Sequence, residues 1–455
     1  MSDFNGLRIA LSSLYAQRKA LQVTGQNIAN VNTEGYSRQR VELVADSGPV
    51  TPARESRYAG PGMGVLTGDT TRLRDQFLEL RSYQEHAVDA GLKESQSVMS
   101  RVELAFDEPS DEGLSKLISG FLAAFDDVAN NPDDLAARAQ LVEQARTLGA
   151  AFVQLDAALA TQRSSSIDEL ASIVDELNNS AARVAELNQN ITSAINNGFS
   201  PNELMDQRDL LIAQMAQHAG VTVRPGENGT VDVFVGGTAI VRGNKSSPLQ
   251  VEVGTDAAQT VRVTWASDSY PAGVSGAGGG LLSAVNEVIP RYRNGLAAVA
   301  TQLAGEVNAL HRTGYALDGS TGIDFFVSGP GGAIEVNPAI AGDPRLVAAA
   351  ATPGATRDGS LAQQMAELTG PGGRYHQLVV DLGVEAQAVN RRVEVQAAIV
   401  QHVDAARESA TGVNLDEEMT AMLQYQHAYD AAARFLTAVD QALDTLINST
   451  GLVGR

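Results

Sequence analysis

Apolar residues recur every seven positions at both ends of the chain, a spacing that keeps them on one face of a helix. Gln17 and Thr24 interrupt the N-terminal repeat without abolishing it. The pattern predicts a helix over about residues 4–31 whose apolar seam consists of Leu7, Ala10, Leu14, Leu21, Ile28 and Val31.

The C-terminal repeat predicts a second long helix, over about residues 415–449. Asn414 is a suitable N-cap, Glu417 follows three residues later where it can complete a capping box, and acidic residues occupy the positive end of the helix dipole. The seam residues are Leu415, Met422, Tyr425, Tyr429, Ala432, Leu436, Val439, Leu443 and Leu446. We expect the N- and C-terminal helices to pair along their seams as a coiled coil.

The segment NIANVNTEGY, residues 27–36, marks the end of the first helix. Asparagine and threonine side chains bond readily to nearby backbone, and glycine tolerates positive φ, so the segment predicts a specified helix stop and turn. The residues assigned to this turn are Asn27, Asn30, Asn32, Thr33, Gly35 and Tyr36.

Between the ends, the pattern of apolar residues changes twice. Helical spacing predicts helices over residues 72–218, with breaks at DEPSDEG, NNPDD and NNGFSPNE. Alternation in VTVRPGENGTVDVFV predicts a hairpin, and LQVEVGTDAAQTVRVTW predicts two more strands. Helices return from 281 to about 312 and from about 374 to 410, with a loop-rich stretch between them.

The predicted fold class is therefore mainly α with a smaller β-rich insertion, and both ends are free of proline, which breaks helix interiors. We expect three domains. They are a terminal helical assembly domain of residues 1–45 and 412–455, a helical bundle domain of residues 46–218 and 282–411, and a β-rich domain of residues 219–281.

Composition excludes several classes of function. The 455 residues are 44% hydrophobic and carry a formal charge of −21 with no basic block, which argues against nucleic acid as a partner. There is no cysteine, so disulfides, thiolate metal sites and a cysteine nucleophile are excluded. Arg8, Arg18 and Lys19 interrupt the N-terminal apolar positions, and we expect neither a cleaved signal peptide nor a membrane span.

Candidate chemistry is sparse. Glu203, Asp206 and Asp209 fall three apart on one face of a predicted helix, where paired carboxylates can do acid/base work, but a solvated helix face is the favoured interpretation. The six histidines show no ligand spacing, and two acidic loops lack the final glutamate of a calcium loop. The glycine-rich GAGGG and GPGMG are interpreted as hinges and tight turns. We expect no catalytic, cofactor or metal site.

Longer motifs resemble known sequences. IANVNTEGYSRQ at residues 28–39 is similar to the N-terminal motif of bacterial flagellar rod, hook and hook-associated proteins, and ATGVNLDEEMTAMLQYQHAYDAAARFLTAVDQALDTLI resembles their C-terminal counterpart. Internal stretches narrow the resemblance to the hook-associated protein 1 family: PNELMDQRDLLIAQMAQHAGVTV, IPRYRNGLAAVATQLAGEVNALHRTGYALDGSTGIDFF and GPGMGVLTGDTTRLRDQFLELRS.

The resemblance implies a structural protein of the flagellum, located outside the cell at the junction between hook and filament and exported by the type III apparatus without a cleaved signal peptide. The implied partners are further copies in a ring, the hook protein, hook-associated protein 3 as second junction protein, and an export chaperone at the C-terminal region. The terminal helices would form an inner tube, the helical domain the next shell and the β-rich domain the outer surface. The outermost domain of longer relatives is expected to be missing.

Apolar residues off the two seams indicate how such a ring would be held together: Phe4, Ile9, Leu11, Val23, Met419, Leu423, Phe435 and Ile447. Left in water they would form an exposed apolar surface, so we expect them to bury against neighbouring copies and the ends to be mobile in the monomer.

Three alternatives stay open at this stage. A rod or hook protein shares the terminal motifs, although QRDLL and GIDFF argue against it. A secreted protein that binds membrane surfaces through its amphipathic ends is disfavoured by the acidic charge and the few lysines. If the protein were an enzyme acting through Glu203, Asp206 and Asp209, their triple replacement by alanine would abolish function, whereas a structural role predicts intact motility.

Overall fold

The protein is described here by a computed structural model that covers residues 3–46, 62–255, 259–329 and 334–449. It is mainly α, as predicted. Its helices are α1 (Asp3–Ala29), α2 (Gln76–Phe106), α3 (Leu114–Asn130), α4 (Leu135–Asn196), α5 (Asn202–Ala219), α6 (Gly276–Ser283), α7 (Ile289–His311), α8 (Pro338–Gly342), α9 (Ser360–Ala366), α10 (Gly370–Thr411) and α11 (Leu415–Asp444). A π-helical turn, Ala284–Val288, joins α6 to α7, and another, Thr445–Ser449, follows α11.

The described strands form four small antiparallel sheets. The first sheet pairs β1 (Gln39–Asp46) with β2 (Gly64–Arg72). The second joins, in order, β3 (Val221–Pro225), β4 (Val231–Val235), β5 (Thr238–Arg242) and β6 (Lys245–Ser246). The third pairs β7 (Leu249–Val253) with β8 (Val261–Trp265), and the fourth pairs β9 (Phe326–Ser328) with β10 (Ile334–Val336). The hairpin predicted around residues 227–229 and the two strands after it are thus confirmed.

The β1–β2 hairpin was not predicted, because residues 46 onward were assigned to the helical domain. Its second strand shows why: the burial along Gly64–Arg72 does not alternate, since most of its residues are half-buried on both faces. A strand of this kind carries no period-two signal in its sequence. The hairpin packs against α1.

The helix α4, at 62 residues, is the longest element and supports the β-rich insertion. Buried Asn188 donates its Nδ2 to the backbone oxygens of Val231 and Gly243, at 2.8 and 2.7 Å. Asn178 bonds in the same way to both backbone groups of Leu249. Because these amides satisfy strand-edge groups that face the helix, the sheets dock on α4 at defined positions.

The segment GAGGG is a helix and not the hinge that its composition predicted. Residues 276–280 form the first turns of α6, which lies against α2. A Cβ built on Gly280 would come within 2.6 Å of the backbone oxygen of Gly91, and one on Gly278 within 3.1 Å of the oxygen of His218. Glycine is therefore needed here for the close approach of two backbones and not for flexibility.

The main hydrophobic core runs as one contiguous cluster through the helical region and the β-rich insertion, from Tyr83 to Ala386. Its largest fully buried members include Phe121, Phe125 and Phe325, whose rings contact one another. Among the described residues, α1 and α11 contribute nothing to this cluster. The terminal helices consequently depend on contacts other than the core.

Candidate assembly site

The terminal helices α1 and α11 pack side by side and run antiparallel. Near the start of α1, a Cβ added to Gly6 would lie 3.4 Å from Cγ2 of Val439, whereas at its other end Asn27 bonds to Glu418. Apart from Asn27, the buried residues of α1 are small: Ala10, Ala16, Ala20 and Thr24. Small side chains allow α1 to approach both α11 and the β1–β2 hairpin.

The predicted seam residues are buried to different extents, and Ala10 and Ala432 are the buried ones. The five larger residues of the N-terminal seam are half-buried: Leu7, Leu14, Leu21, Ile28 and Val31. In the C-terminal seam another five are half-buried, namely Met422, Tyr425, Leu436, Val439 and Leu443, while Leu415, Tyr429 and Leu446 are exposed. The isolated chain therefore buries its seam only in part.

Apolar side chains off the seams face solvent. Met419, Leu423, Phe435 and Ile447 expose 57, 56, 45 and 74% of their surface, and Leu11 is exposed on α1. Ile9 and Val23 are half-buried, and the side chain of Phe4 lies outside the described residues. Met419 and Leu423 are four positions apart, on one side of the helix, and we call them the outer face of α11.

The turn after α1 has the geometry that its sequence predicted. Asn30 Nδ2 donates to the oxygen of Gln26, and Thr33 Oγ1 donates to Asn30 Oδ1, at 3.0 and 3.2 Å. Gly35 adopts φ +79° and lies against Leu210 of α5. Asn32 is exposed at the tip of the turn. The chain thus leaves α1 along a path fixed by its own side chains.

Asn27 ties this turn to α11. Its Oδ1 accepts from the hydroxyl of Tyr36 at 2.9 Å and from the backbone N–H of Gln39 at 3.0 Å. Its Nδ2 donates to the oxygen of Gln39 and to Oε2 of Glu418. The amide is buried and both of its polar atoms have hydrogen-bond partners, so it joins α1, β1 and α11 in one network.

Arg38 joins the same network by binding two acidic residues of α11. Its Nε donates to Glu418 Oε1 at 2.7 Å and one terminal nitrogen donates to Glu417 Oε2 at 2.8 Å. Burial alone would lower the pKa of Arg38, but its hydrogen bond to Glu417 and the charge of Glu418 raise it. The predicted cap at Asn414 is confirmed by bonds from the backbone nitrogens of Asp416 and Glu417. The expected second half of the capping box was wrong, because the side chain of Glu417 is held by Arg38.

The three carboxylates of α5 have structural partners. Arg72 donates to Asp206 Oδ1 and to Asp209 Oδ2, both at 2.8 Å, and the backbone N–H of Ser37 donates to Asp206 Oδ2. Asp206 is buried, so the solvated-face interpretation was wrong for it. Glu203 is exposed and accepts from Gln26. Alanine at Asp206 would remove one of the two carboxylates that Arg72 binds. Loss of function in the triple alanine variant would therefore not distinguish a catalytic role from a structural one.

The electrostatics of this joint, defined as Asn27, Tyr36, Arg38, Arg72, Asp206 and Glu418, favour a fixed structure. Burial, followed by the charges of Asp206, Glu203 and Glu418, raises the pKa of Tyr36 to about 12. The phenol therefore stays protonated and donates to Asn27 throughout the physiological range. Sequence reasoning missed Arg38 and Arg72, and the only available signal was their position beside the turn and at the end of a strand.

Two further classes of site find no support in the described ranges. No group of three or more histidine or acidic side chains is arranged there to hold a metal ion. Each helix in those ranges is too short or too polar to cross a membrane. The geometry present is that of a clamp between helices.

Comparisons with known proteins agree with this geometry. Residues 99–326, half of the chain, match the model of the flagellar hook-associated protein FlgK helical domain. Flagellar hook-associated protein 1 of Bacillus subtilis is 30% identical over the whole length of both chains. The chain belongs to the flagellar hook-associated protein 1 (FlgK) family. Its ends match rod-type families, a flagella basal body rod protein at 7–36 and the flagellar basal body rod FlgEFG protein C-terminal at 406–449.

Other members of the FlgK family are similar over part of their length. Flagellar hook-associated protein 1 of Salmonella typhimurium is 31% identical over 70% of this chain and 59% of its own. The solved structure of the flagellar hook junction protein FlgK from Burkholderia pseudomallei is 26% identical and superimposes with a TM-score of 0.51, covering 55% of this chain and 47% of that one. The fold described above is therefore that of a FlgK-type structural protein of the flagellum.

Proposed function

We propose that this chain forms the junction between the hook and the filament of the bacterial flagellum and polymerises through its paired terminal helices. The observation that carries the proposal is the outer face of α11, where two large apolar side chains are exposed to solvent on a helix that contributes nothing to the main core. An exposed apolar surface of this kind marks an interaction site.

Neighbouring copies bury the apolar side chains that the isolated chain leaves exposed. Each apolar side chain removed from water contributes about 1.5–3 kcal/mol, and the outer face of α11 together with Leu11 offers three in every copy. A ring repeats this gain at every contact. The distal parts of α1 and α11, which lie furthest from the joint, gain most and become ordered on assembly, while the joint keeps their inner ends in place in the monomer.

The joint sets where one layer ends and the next begins. The chain passes it twice, once after α1 and once before α11, and Arg38 links the two passages. Residues 1–45 and 412–455 form the inner tube, residues 46–218 and 282–411 the helical shell, and residues 219–281 the outer β-rich surface. The turn from Asn30 to Gly35 is the point of departure from the tube.

The partners follow from this position outside the cell. They are further copies in a ring, the hook protein below, hook-associated protein 3 above, and an export chaperone that holds the exposed outer face of α11 before export. Export proceeds through the flagellar type III apparatus. The carboxylates of α5 serve the joint, and the chain has no catalytic role.

A rod or hook protein is the alternative within the same class, since both ends match rod-type families. The match of the helical region to the FlgK helical domain supports the junction instead. Deleting the gene separates the two: loss of a junction protein leaves intact hooks without filaments and flagellin monomer in the medium, whereas loss of a rod or hook protein removes the hooks.

Complementation of the deletion strain tests the role of α11. A Met419→Ser/Leu423→Ser variant is expected to be exported but to restore filaments on few or no hooks. The matched control is Leu104→Ser, because Leu104 is 76% exposed on α2, outside the terminal helices, and its loss should leave filaments at wild-type number. Normal filaments with the double variant would refute assembly through this face.

Hydrogen exchange on the purified monomer tests the ordering of the ends. We expect fast exchange in the first half of α1 and the second half of α11 and slower exchange at residues 20–29 and 415–425, near the joint. Strong protection along the whole of α1 in the monomer would contradict ordering on assembly.

A further inference from the structure

A line of side chains along α10 faces solvent. It consists of Val380, Val384, Gln387, Arg391, Val395 and Ala398, all of them exposed, and we call it the α10 stripe. The residues are three or four positions apart, which places them on one helix face. Its three valines expose 41, 59 and 63% of their surface, although valine is usually buried. A line of about 27 Å at ~1.5 Å per residue is long enough for a helix to lie along it.

A second exposed line lies on α4. It consists of Val153, Ala157, Ser164, Asp168 and Asp175, which we call the α4 stripe. Val153 is 46% exposed. The spacings of four and seven residues again place the members on one face. The side chains at its N-terminal end are small or apolar, and those at its C-terminal end are acidic.

The two stripes lie on opposite sides of the helical domain. Both α4 and α10 pack against α2, α3 and α7, and the main packing partners of each do not include the other. These three helices therefore form a middle layer with α4 on one side and α10 on the other. A surface on one side of a molecule can meet a surface on the other side only in a second copy.

The polar contacts of α7 show that the stripes also lie at the same height. Arg293 bonds to Asp156 of α4 at 2.8 Å, and Tyr292 bonds to Glu385 of α10 at 2.6 Å. Asp156 and Glu385 are thus level, and they are the chain neighbours of Ala157 and Val384.

The two helices run in the same direction. Towards the start of α6–α7, Arg163 of α4 bonds to the oxygen of Val285, and towards its end Arg374 of α10 bonds to Gln302. Both helices are therefore antiparallel to α7 and parallel to each other. With Glu385 level with Asp156, Arg391 lies about 9 Å along the axis from Asp168 at ~1.5 Å per residue, within the combined reach of the two side chains.

The charges on the two stripes are complementary. Arg391 and its neighbour Arg392 are exposed and have no ion-pair partner in the ranges that the structure covers. The same holds for Asp168 and Asp175 on the α4 stripe. The free guanidinium groups on one side of the molecule are thus opposite in charge to the free carboxylates on the other.

We propose that the α10 stripe of one copy docks on the α4 stripe of the next copy, so that Val380 and Val384 pack on Val153 and Ala157 while Arg391 pairs with Asp168. The contact is head-to-tail, and because the stripes are level, successive copies lie side by side with little rise, as the proposed ring requires. The proposal rests on the function proposed above and adds to it a lateral interface in the helical shell, separate from the terminal helices.

Disulfide trapping tests this interface cleanly, because the chain contains no cysteine. In the deletion strain, a Val384→Cys/Ala157→Cys variant is expected to assemble and, after mild oxidation of isolated hook-filament structures, to give a ladder of linked copies on a non-reducing gel. The control is Val384→Cys/Ala182→Cys: Ala182 is also exposed on α4 but lies about 38 Å further along at ~1.5 Å per residue. We expect at least ten-fold less linked product from the control.

The outcomes separate the interface from the function. Assembly of the double-cysteine variant with no more linkage than the control, or linkage only to a protein of another size, would overturn the interface and leave the junction function standing. Absence of the unmodified chain from isolated hooks would overturn the function and the interface with it.

Charge reversal tests the pairing of Arg391 with Asp168 directly, because a second substitution would not rescue the first if the two residues had only separate structural roles. Arg391→Glu is expected to lower the fraction of hooks that bear filaments at least three-fold, and Asp168→Arg in the same chain to restore it, since every contact in the ring then has the reversed pair. Both positions are exposed, so the circular dichroism of the monomers should not change. Failure of the second substitution to rescue the first, with both proteins folded and exported, would refute the pairing.

Discussion

Nδ2 of Asn27 donates to Oε2 of Glu418 at 3.1 Å, although the two residues lie 391 positions apart in the chain. Both side chains are buried where α1 ends and α11 begins. A polar pair enclosed in a helix contact can bond in only one register, so it fixes the height of one helix against the other. The pair therefore positions α11 before any neighbouring copy is present.

Replacing Glu418 by alanine is expected to release the first turns of α11. The change leaves one N–H of the Asn27 amide and the Nε of Arg38 without a partner, and breaking a buried pair of this kind costs about 3 kcal/mol. Exchange of the amides at residues 418–425 should accelerate about 100-fold. Glu417→Ala is the control, because the Glu417 side chain is 60% exposed and its loss should cost less than about 1 kcal/mol. Equal effects of the two variants would contradict a positioning role for Glu418.

Gly35→Ala is expected to destabilise the turn. Gly35 has φ +79°, and an added Cβ would lie 3.3 Å from Cβ of Leu210, so strain and crowding together should cost about 1–3 kcal/mol. Gly25→Ala is the matched change within α1, where nothing lies within 4 Å, and it should stabilise the helix by about 1 kcal/mol. Denaturant unfolding, monitored by proteolysis at the turn, distinguishes the two variants. A Gly35→Ala variant that is more stable than the wild type would be inconsistent with this geometry.

Gly280→Ala is expected to separate α6 from α2. The added Cβ would meet the backbone oxygen of Gly91 at 2.6 Å, and backbone cannot move aside as a side-chain end can, so the melting temperature should fall by several degrees. Gly305→Ala in α7 has open space around it and should raise or preserve the melting temperature. An unchanged melting temperature for Gly280→Ala would restore the interpretation of GAGGG as a hinge.

Stability is expected to fall on acidification from pH 6.5, through His311. Its neutral ring accepts from the backbone N–H of Ala348 at 2.9 Å while its Nδ1 bonds to the oxygen of Ile323 at 2.7 Å. Burial lowers the pKa of His311, outweighing the hydrogen bond to Ile323 and the charge of Asp324. The unfolded chain thus takes up a proton that the folded chain excludes. Stability is constant above the unfolded pKa of about 6.5 and declines below it, by at most about 1.4 kcal/mol per pH unit.

Urea unfolding between pH 5.3 and 7.5 measures this dependence. His311→Gln should lower stability at neutral pH but flatten the slope below pH 6.5, since the titrating group is gone. His427→Asn changes an exposed histidine and should leave the slope as it is. A wild-type slope that survives in His311→Gln would assign the acid sensitivity elsewhere.

The elements whose order was predictable from the sequence are those with a regular local signal. The breaks at DEPSDEG, NNPDD and NNGFSPNE separate α2, α3, α4 and α5, and the alternation after residue 219 predicted the β strands. The helix stop at Asn30 was predictable because asparagine, threonine and glycine act on their own backbone there.

The joint was not predictable, because its partners are brought together by the fold. Arg72 and Asp206 are 134 positions apart, and nothing in either neighbourhood indicates the other. The spacing of Glu203, Asp206 and Asp209 identified a polar helix face correctly but could not distinguish water from arginine as its surroundings. The GAGGG segment was misassigned because glycine serves both bending and close packing, and the choice between them depends on Gly91, far away in sequence.

The clamp of Arg38 on Glu417 and Glu418 brings the entrance and exit of the intervening polypeptide to one point. The helical and β-rich regions beyond the β1–β2 hairpin are therefore attached at one point, so their length is decoupled from the geometry of α1 and α11. Regions of other size can be accommodated there, and a chimera that carries a foreign helical region beyond the hairpin is expected to keep the packing of α1 against α11.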